Sequence, residues 1–247
     1  MTPLPSQRTR RKPLKNRLTA VGALLALAAT ACGCAVHLPG ASARPQSAPD
    51  ITARTAAPAL DALRTQPVKG RAPKTGYDRT GKFGPAWSDR TTAPGARNSC
   101  DTRDDVLICD LHDVRFRAGS RCIVVSGTLS DPYTGQDTAF TRGPRTSLAV
   151  QIDHVVALSD AWQTGAQTLT QAQREALAND PLELVAASGP ANTHKSDADA
   201  ASWLPANKTY RCAYVARQIA VKAKYRLLVT LAEHTAMTRV LNTCPGQ

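Results

Sequence analysis

The apolar positions of the chain fall into three regimes. They are continuous from Leu18 to Ala31, sparse and aperiodic from Ala41 to about Ala57, and regularly spaced from Pro58 onward. The continuous run follows a cationic block of Arg8, Arg10, Arg11, Lys12, Lys15 and Arg17. A helix of that length reaches about 21 Å, short of a hydrocarbon core of about 30 Å, so residues 1–43 read as an export signal rather than an anchor. Small-x-small cleavage sites stand at Ala29-Thr30-Ala31 and Ala41-Ser42-Ala43, and Cys32 after the first adds a lipoprotein reading in which Cys32 is acylated. Residues 44–57, rich in Ala, Pro, Ser, Thr and Gln, read as a disordered linker without a core of its own. The folded domain is expected over 58–247.

Within that domain the spacing predicts mixed structure. Pro58 stands at a first helical position, with Leu60 and Leu63 on one face of a short docking helix. Arg121 to Leu129 is a β-branched run closed by the turn composition Asp131-Pro132-Tyr133-Thr134-Gly135. Ser147 to Ile152 alternates, with apolar residues at 148, 150 and 152, and predicts a strand ending on Asp153-His154. Helices are predicted over Ser159–Gln167 and, capped by Thr170, over Thr170–Ala178; Pro181–Ala186 predicts a strand; a further helix is expected to start at Asn192 as its cap. Apolar positions from Tyr214 to Leu241 suit one or two amphipathic helices.

Composition narrows the class. An apolar fraction of 42% and a charged fraction of 20% exclude a disordered polyelectrolyte and a polytopic membrane protein. The net charge of +12 invites a nucleic-acid partner, yet six of those charges sit in the leader and one in the linker, leaving five on the domain. Cysteines Cys100, Cys109, Cys122, Cys212 and Cys244 contain no close pair of the zinc-knuckle kind, which favours disulfides in an oxidising compartment. The pairing expected is Cys100 with Cys122 and Cys212 with Cys244, leaving Cys109 odd, although spacing alone leaves connectivity open.

Three segments carry candidate chemistry in order: D-H-V-V-A-L at Asp153–Leu158, A-N-D-P-L-E-L at Ala178–Leu184 and N-T-H-K-S-D at Asn192–Asp197. Singly, each has an ordinary explanation as a loop end, a turn or a helix cap. Together, on a strand, helical insertion, strand and helix, they resemble the HNH or ββα-metal nuclease finger, here about 148–204. More closely, the chain resembles secreted actinobacterial HNH proteins related to the C-terminal domain of GmrSD-type restriction endonucleases. Further matches are G-Y-D-R at Gly76–Arg79, F-G-P-A-W at Phe83–Trp87, C-D-T-R at Cys100–Arg103, D-P-Y-T-G at Asp131–Gly135 and W-L-P at Trp203–Pro205. Two departures stand out: Ser196 where related proteins have Gly, and Cys109 where they usually lack Cys.

The resemblance implies an α+β fold with a ββα-metal finger embedded in a small disulfide-bonded domain with C-terminal helices. It implies a secreted endonuclease hydrolysing DNA, with the choice between DNA and RNA left open by the sequence, and products with 5′-phosphate ends. His154 is the expected general base, since an imidazole accepts a proton near neutral pH. Asp153 and Asn192 are the expected oxygen ligands of Mg²⁺ or Mn²⁺. Asn179 is expected to hold the loop behind His154, Lys195 to place a cation by the phosphate, and Arg174 to make a phosphate contact. His194 is a reserve ligand. Trp87, Trp162 and Trp203 read as core or docking residues. No obligate protein partner is implied, and a membrane enters only through the lipid-anchor reading. The competing reading is a non-catalytic cell-envelope or partner-binding protein on the same scaffold; a toxin or effector nuclease would differ in delivery alone.

Overall fold

The computed structural model describes residues 58–244. The expected signal peptide, the linker and Cys32 lie outside them. A helix over 58–65, α1, buries Leu60 and Leu63. After it come α2 (Arg79–Phe83), α3 (Thr102–Asp110), the strands β1 (Leu111–Phe116), β2 (Val124–Ser130) and β3 (Asp137–Thr141), then β4 (Val150–His154), α4 (Leu158–Gln163), α5 (Gln171–Ala178), β5 (Leu184–Ser188), α6 (Gly189–Lys195), α7 (Arg211–Lys224) and α8 (Leu231–Leu241). The expected α+β class with C-terminal helices is borne out.

β1, β2 and β3 form an antiparallel meander, and β4 pairs antiparallel with β5 as a separate two-stranded ladder in which Ile152 faces Ala186 and His154 faces Leu184. Every residue of β5 is buried, because the ladder lies between two apolar cores. On one side Val150, Ile152, Leu184 and Ala186 join α3 and the meander. On the other Val185 and Ala187 join α1, α4, α7 and α8. A ladder of two strands has two open edges, and side chains close them. Arg103 Nη2 donates to the Val150 carbonyl at 2.9 Å, Asp110 Oδ2 accepts from the Ala186 amide at 2.7 Å, and the Arg217 guanidinium donates to the carbonyls of Pro181, Leu182 and Leu184.

Local chemistry shifts several predicted boundaries. Residues 146–149 make a 3₁₀ turn and β4 starts only at Val150, so Leu148 is 61% exposed instead of facing a core. Residues 181–183 turn before β5. Helix α6 starts at Gly189, not at Asn192: Ser188 caps it through the Ala191 amide, Pro190 preorganises its first turn, and a Cβ on Gly189 would collide with the Leu148 carbonyl. Asn192 therefore sits inside the helix, with its side chain free for other work. Thr170 caps α5 as expected, in a full capping box with Gln173.

Both expected disulfides, Cys100–Cys122 and Cys212–Cys244, are present, the second joining the start of α7 to the end of α8. Cys109 is engaged rather than odd. The C-terminal helices are also clamped by a buried ion network. Lys222, fully buried, donates to Asp160 Oδ2 at 3.0 Å and to Glu233 Oε1 at 2.5 Å, while Arg71 spans Asp160 and Asp199 at 2.8 Å each. Removing Lys222 strands the Glu233 carboxylate in an apolar core and leaves Asp160 with Arg71 alone. Lys222→Met is expected to lower unfolding free energy by about 3 kcal/mol, read as a fall in the urea midpoint at unchanged slope; an unaltered midpoint would contradict the clamp.

Candidate active site

The alternation of β4 sends Gln151 and Asp153 to one face and His154 to the other, and α6 packs along the first. Two rungs join strand to helix: Asn192 Nδ2 donates to Gln151 Oε1 at 2.8 Å, and Lys195 Nζ donates to Asp153 Oδ1 at 3.0 Å. The spacings agree, since two strand residues and one helical turn advance by comparable lengths. Lys195 is 1% exposed, and its ammonium also donates to the His154 carbonyl at 2.7 Å. The cation expected beside a phosphate is paired with Asp153 in this structure. At this depth a Lys needs a counter-charge, and Asp153 consumes it.

Asp153 is buried, and its second oxygen accepts from the Tyr133 hydroxyl at 2.5 Å. Burial raises the carboxyl above its ordinary range, opposed by the Lys195 charge and by the hydrogen bonds from Tyr133 and Lys195. Burial also pushes the Tyr133 phenol well up, so it stays a donor. Tyr133 is held by the turn 131–135, by Asn207, which donates to the Pro132 carbonyl, and by edge-on contacts to Trp203 and Tyr214 at 5.1 and 5.7 Å. The composition D-P-Y-T-G signalled the turn but not the role of its Tyr. Glu183 is a second buried carboxyl beside this pair; its Oε2 accepts from the Val156 amide and burial raises it well above the usual range.

On the opposite face, His154 Nε2 lies 3.0 Å from the Ala178 carbonyl. A carbonyl only accepts, so Nε2 carries the proton and Nδ1 is left as the acceptor. Burial, with the charges of Arg79 and Lys195, drives the imidazole pKa down to about 3, so the ring is neutral at pH 7. Asn179 follows the carbonyl that His154 uses. It ends α5, is 3% exposed, and donates Nδ2 to the Glu175 carbonyl at 2.9 Å. The indole of Trp87 lies flat on the imidazole, 5.8 Å between centroids at 12°, so this Trp does more than dock. Trp87 holds φ 61°, a conformation rare for a bulky side chain.

Arg174 is not in this group. Its guanidinium, expected at a phosphate, donates to the carbonyls of Lys82 and Leu169 and to Gln171, and lies against Trp162. His194 is exposed and accepts from Trp203 Nε1 at 3.2 Å. Among the described residues no cluster of three or more His, Cys, Asp or Glu is arranged for a metal.

Directly after Lys195, Ser196 ends α6 at φ 52°, ψ −128°, a region open to Gly and strained for any residue with a Cβ. Its amide still donates to the Asn192 carbonyl at 3.0 Å, which keeps the turn closed. Ser196→Gly is expected to raise unfolding free energy by about 1 kcal/mol, measured by chemical denaturation. A loss of stability would mean that the Ser hydroxyl outweighs the backbone strain.

Comparison with known proteins places this geometry in a family. A 37% identical relative, named an uncharacterized secreted protein, occurs in the fungus Arthroderma benhamiae; the match spans 195 residues, 78% of this chain and 86% of the relative. No solved structure matches. The family model described as GmrSD restriction endonucleases, C-terminal domain, matches residues 101–240, a span that contains β4, β5, α6 and each of Asp153, His154, Asn179, Asn192 and Lys195. The chain belongs to the family of GmrSD restriction endonuclease C-terminal domains.

Proposed function

We propose that β4, β5 and α6 form a ββα-metal finger and that the chain is an exported, metal-dependent endonuclease acting on DNA. The observation that carries this reading is the hydrogen bond from His154 Nε2 to the Ala178 carbonyl, which fixes the tautomer and leaves Nδ1 as the atom that can take a proton from water. Water gives a proton to Nδ1 while its oxygen attacks phosphorus. The P–O3′ bond breaks, the 3′ oxygen takes up a proton, and the phosphate remains on the 5′ end.

Asp153 and Asn192 are the residues suited to hold Mg²⁺ or Mn²⁺. Both offer hard oxygen donors, and the Asn192 amide is turned by its Nδ2 bond to Gln151 so that Oδ1 is the atom left over. Each Asp153 oxygen accepts one hydrogen bond and keeps a lone pair. His154 is the last residue of β4, so a phosphate at the strand end is the one that could reach both faces, and a cation bound there would neutralise its charge and stabilise the leaving oxygen. Lys195 and Tyr133 keep the Asp153 carboxylate aimed, and Asn179 holds the end of α5 behind the base. Export is supported by the apolar leader, by the two disulfides and by the secreted relative.

Purified protein is expected to nick or linearise plasmid DNA with Mg²⁺ or Mn²⁺, to stop on adding chelator, and to lose at least about 100-fold in rate as His154→Ala. Cutting that persists in that variant would sink the assignment. No cutting with any divalent metal would favour the non-catalytic scaffold.

A further inference from the structure

With Lys195 committed to Asp153 and Arg174 to backbone carbonyls, neither cation expected at the phosphate is available to it. The same holds for other cations packed near the ladder: Arg103 donates to the Ser147 and Val150 carbonyls, Arg142 to Asp104, and Arg217 to three carbonyls. Arg79 is different. Its guanidinium is half-buried, makes no hydrogen bond or ion pair with a protein group among the described residues, and lies 6.0 Å from the centroid of the Trp87 ring. That ring is the one stacked on His154, 5.8 Å between centroids. Asp78, the preceding residue, caps α2 through the Gly81 amide instead of pairing with Arg79.

We propose that Arg79 is the phosphate-binding cation of the site, gripping a phosphodiester oxygen of the strand presented to His154 while Trp87 supports its planar face. A guanidinium lying on an aromatic ring keeps its N–H fork directed outward, and such a fork matches a phosphate better than a Lys ammonium does. Trp87 then serves as a positioning residue twice, fixing the imidazole plane and the guanidinium. Its positive φ is the conformation that brings the indole there, held by its carbonyl accepting from the Thr102 amide at 3.2 Å.

The proposal rests on the endonuclease reading, and its test separates the two. Binding of a fluorescein-labelled 20-base-pair DNA duplex is followed by anisotropy in chelator over a range of salt, for wild type, Arg79→Ala, Arg79→Lys and the exposed control Arg239→Ala. Loss of one phosphate contact predicts about tenfold weaker binding for Arg79→Ala at about 0.1 M salt, and a salt dependence shallower by about one unit. Arg79→Lys should keep the slope and bind between the two, whereas Arg239→Ala should match wild type. An Arg79→Ala slope equal to that of wild type, or a loss no greater than that of Arg239→Ala, overturns the assignment even if plasmid cleavage depends on His154. Weakened binding by Arg79→Ala with no cleavage in any metal supports Arg79 and removes the endonuclease reading. No duplex binding by wild type overturns both.

Discussion

The contact on which the site depends is the one made by the Lys195 ammonium. An ammonium at 1% exposure has little water to turn to, so Asp153 and the His154 carbonyl take the place of its hydration shell. That single group ties the end of α6 to two successive residues of β4, one through its side chain and one through its backbone. Tyr133 completes the set from the meander side, and its ring is lodged against Trp203 and Tyr214, so α7 also bears on the carboxylate. The strain at Ser196 belongs here too, because the chain must turn sharply as soon as the Lys has been delivered.

The two faces of β4 have opposite electrostatic character. On the α6 face a carboxylate and an ammonium are kept close in an interior that penalises both, each acting as the other's solvent. On the other face the half-buried imidazole is partly desolvated and sits within the influence of two cations, which leaves its neutral form dominant. A neutral ring able to accept a proton and a carboxylate kept in place are separated by a single peptide unit.

Much of this was legible from residues alone. The order of chemistry-bearing segments, the capped α5, the α1 docking helix and the terminal helical pair all follow from local patterns, and the expected pairing of the cysteines, which spacing left open, is the one found. Other features were not, for physical reasons that recur. Strand β3 is mostly polar, and β1 is broken by a register shift, so neither carries a clean alternation. The start of α6 was misplaced because Asn192 is as good a cap as Ser188, and only the close approach of Gly189 to Leu148 decides between them. The pairings of Lys195 and Arg174 were not legible because a sequence records a charge and not its depth. The contacts of Tyr133 with Asp153, of Trp87 with His154 and of Arg79 with Trp87 join distant segments whose local signals announce a turn, an apolar loop and a short helix.

The opposite facing of Asp153 and His154 has a consequence for how the family can vary. Side chains along β4 alternate with a period of two, and the ladder with β5 is buried on both sides. One residue inserted into or deleted from β4 ahead of this pair would interchange the faces, turning the imidazole toward α6 and the carboxylate toward Trp87. This five-residue strand therefore admits changes of letter but not of length.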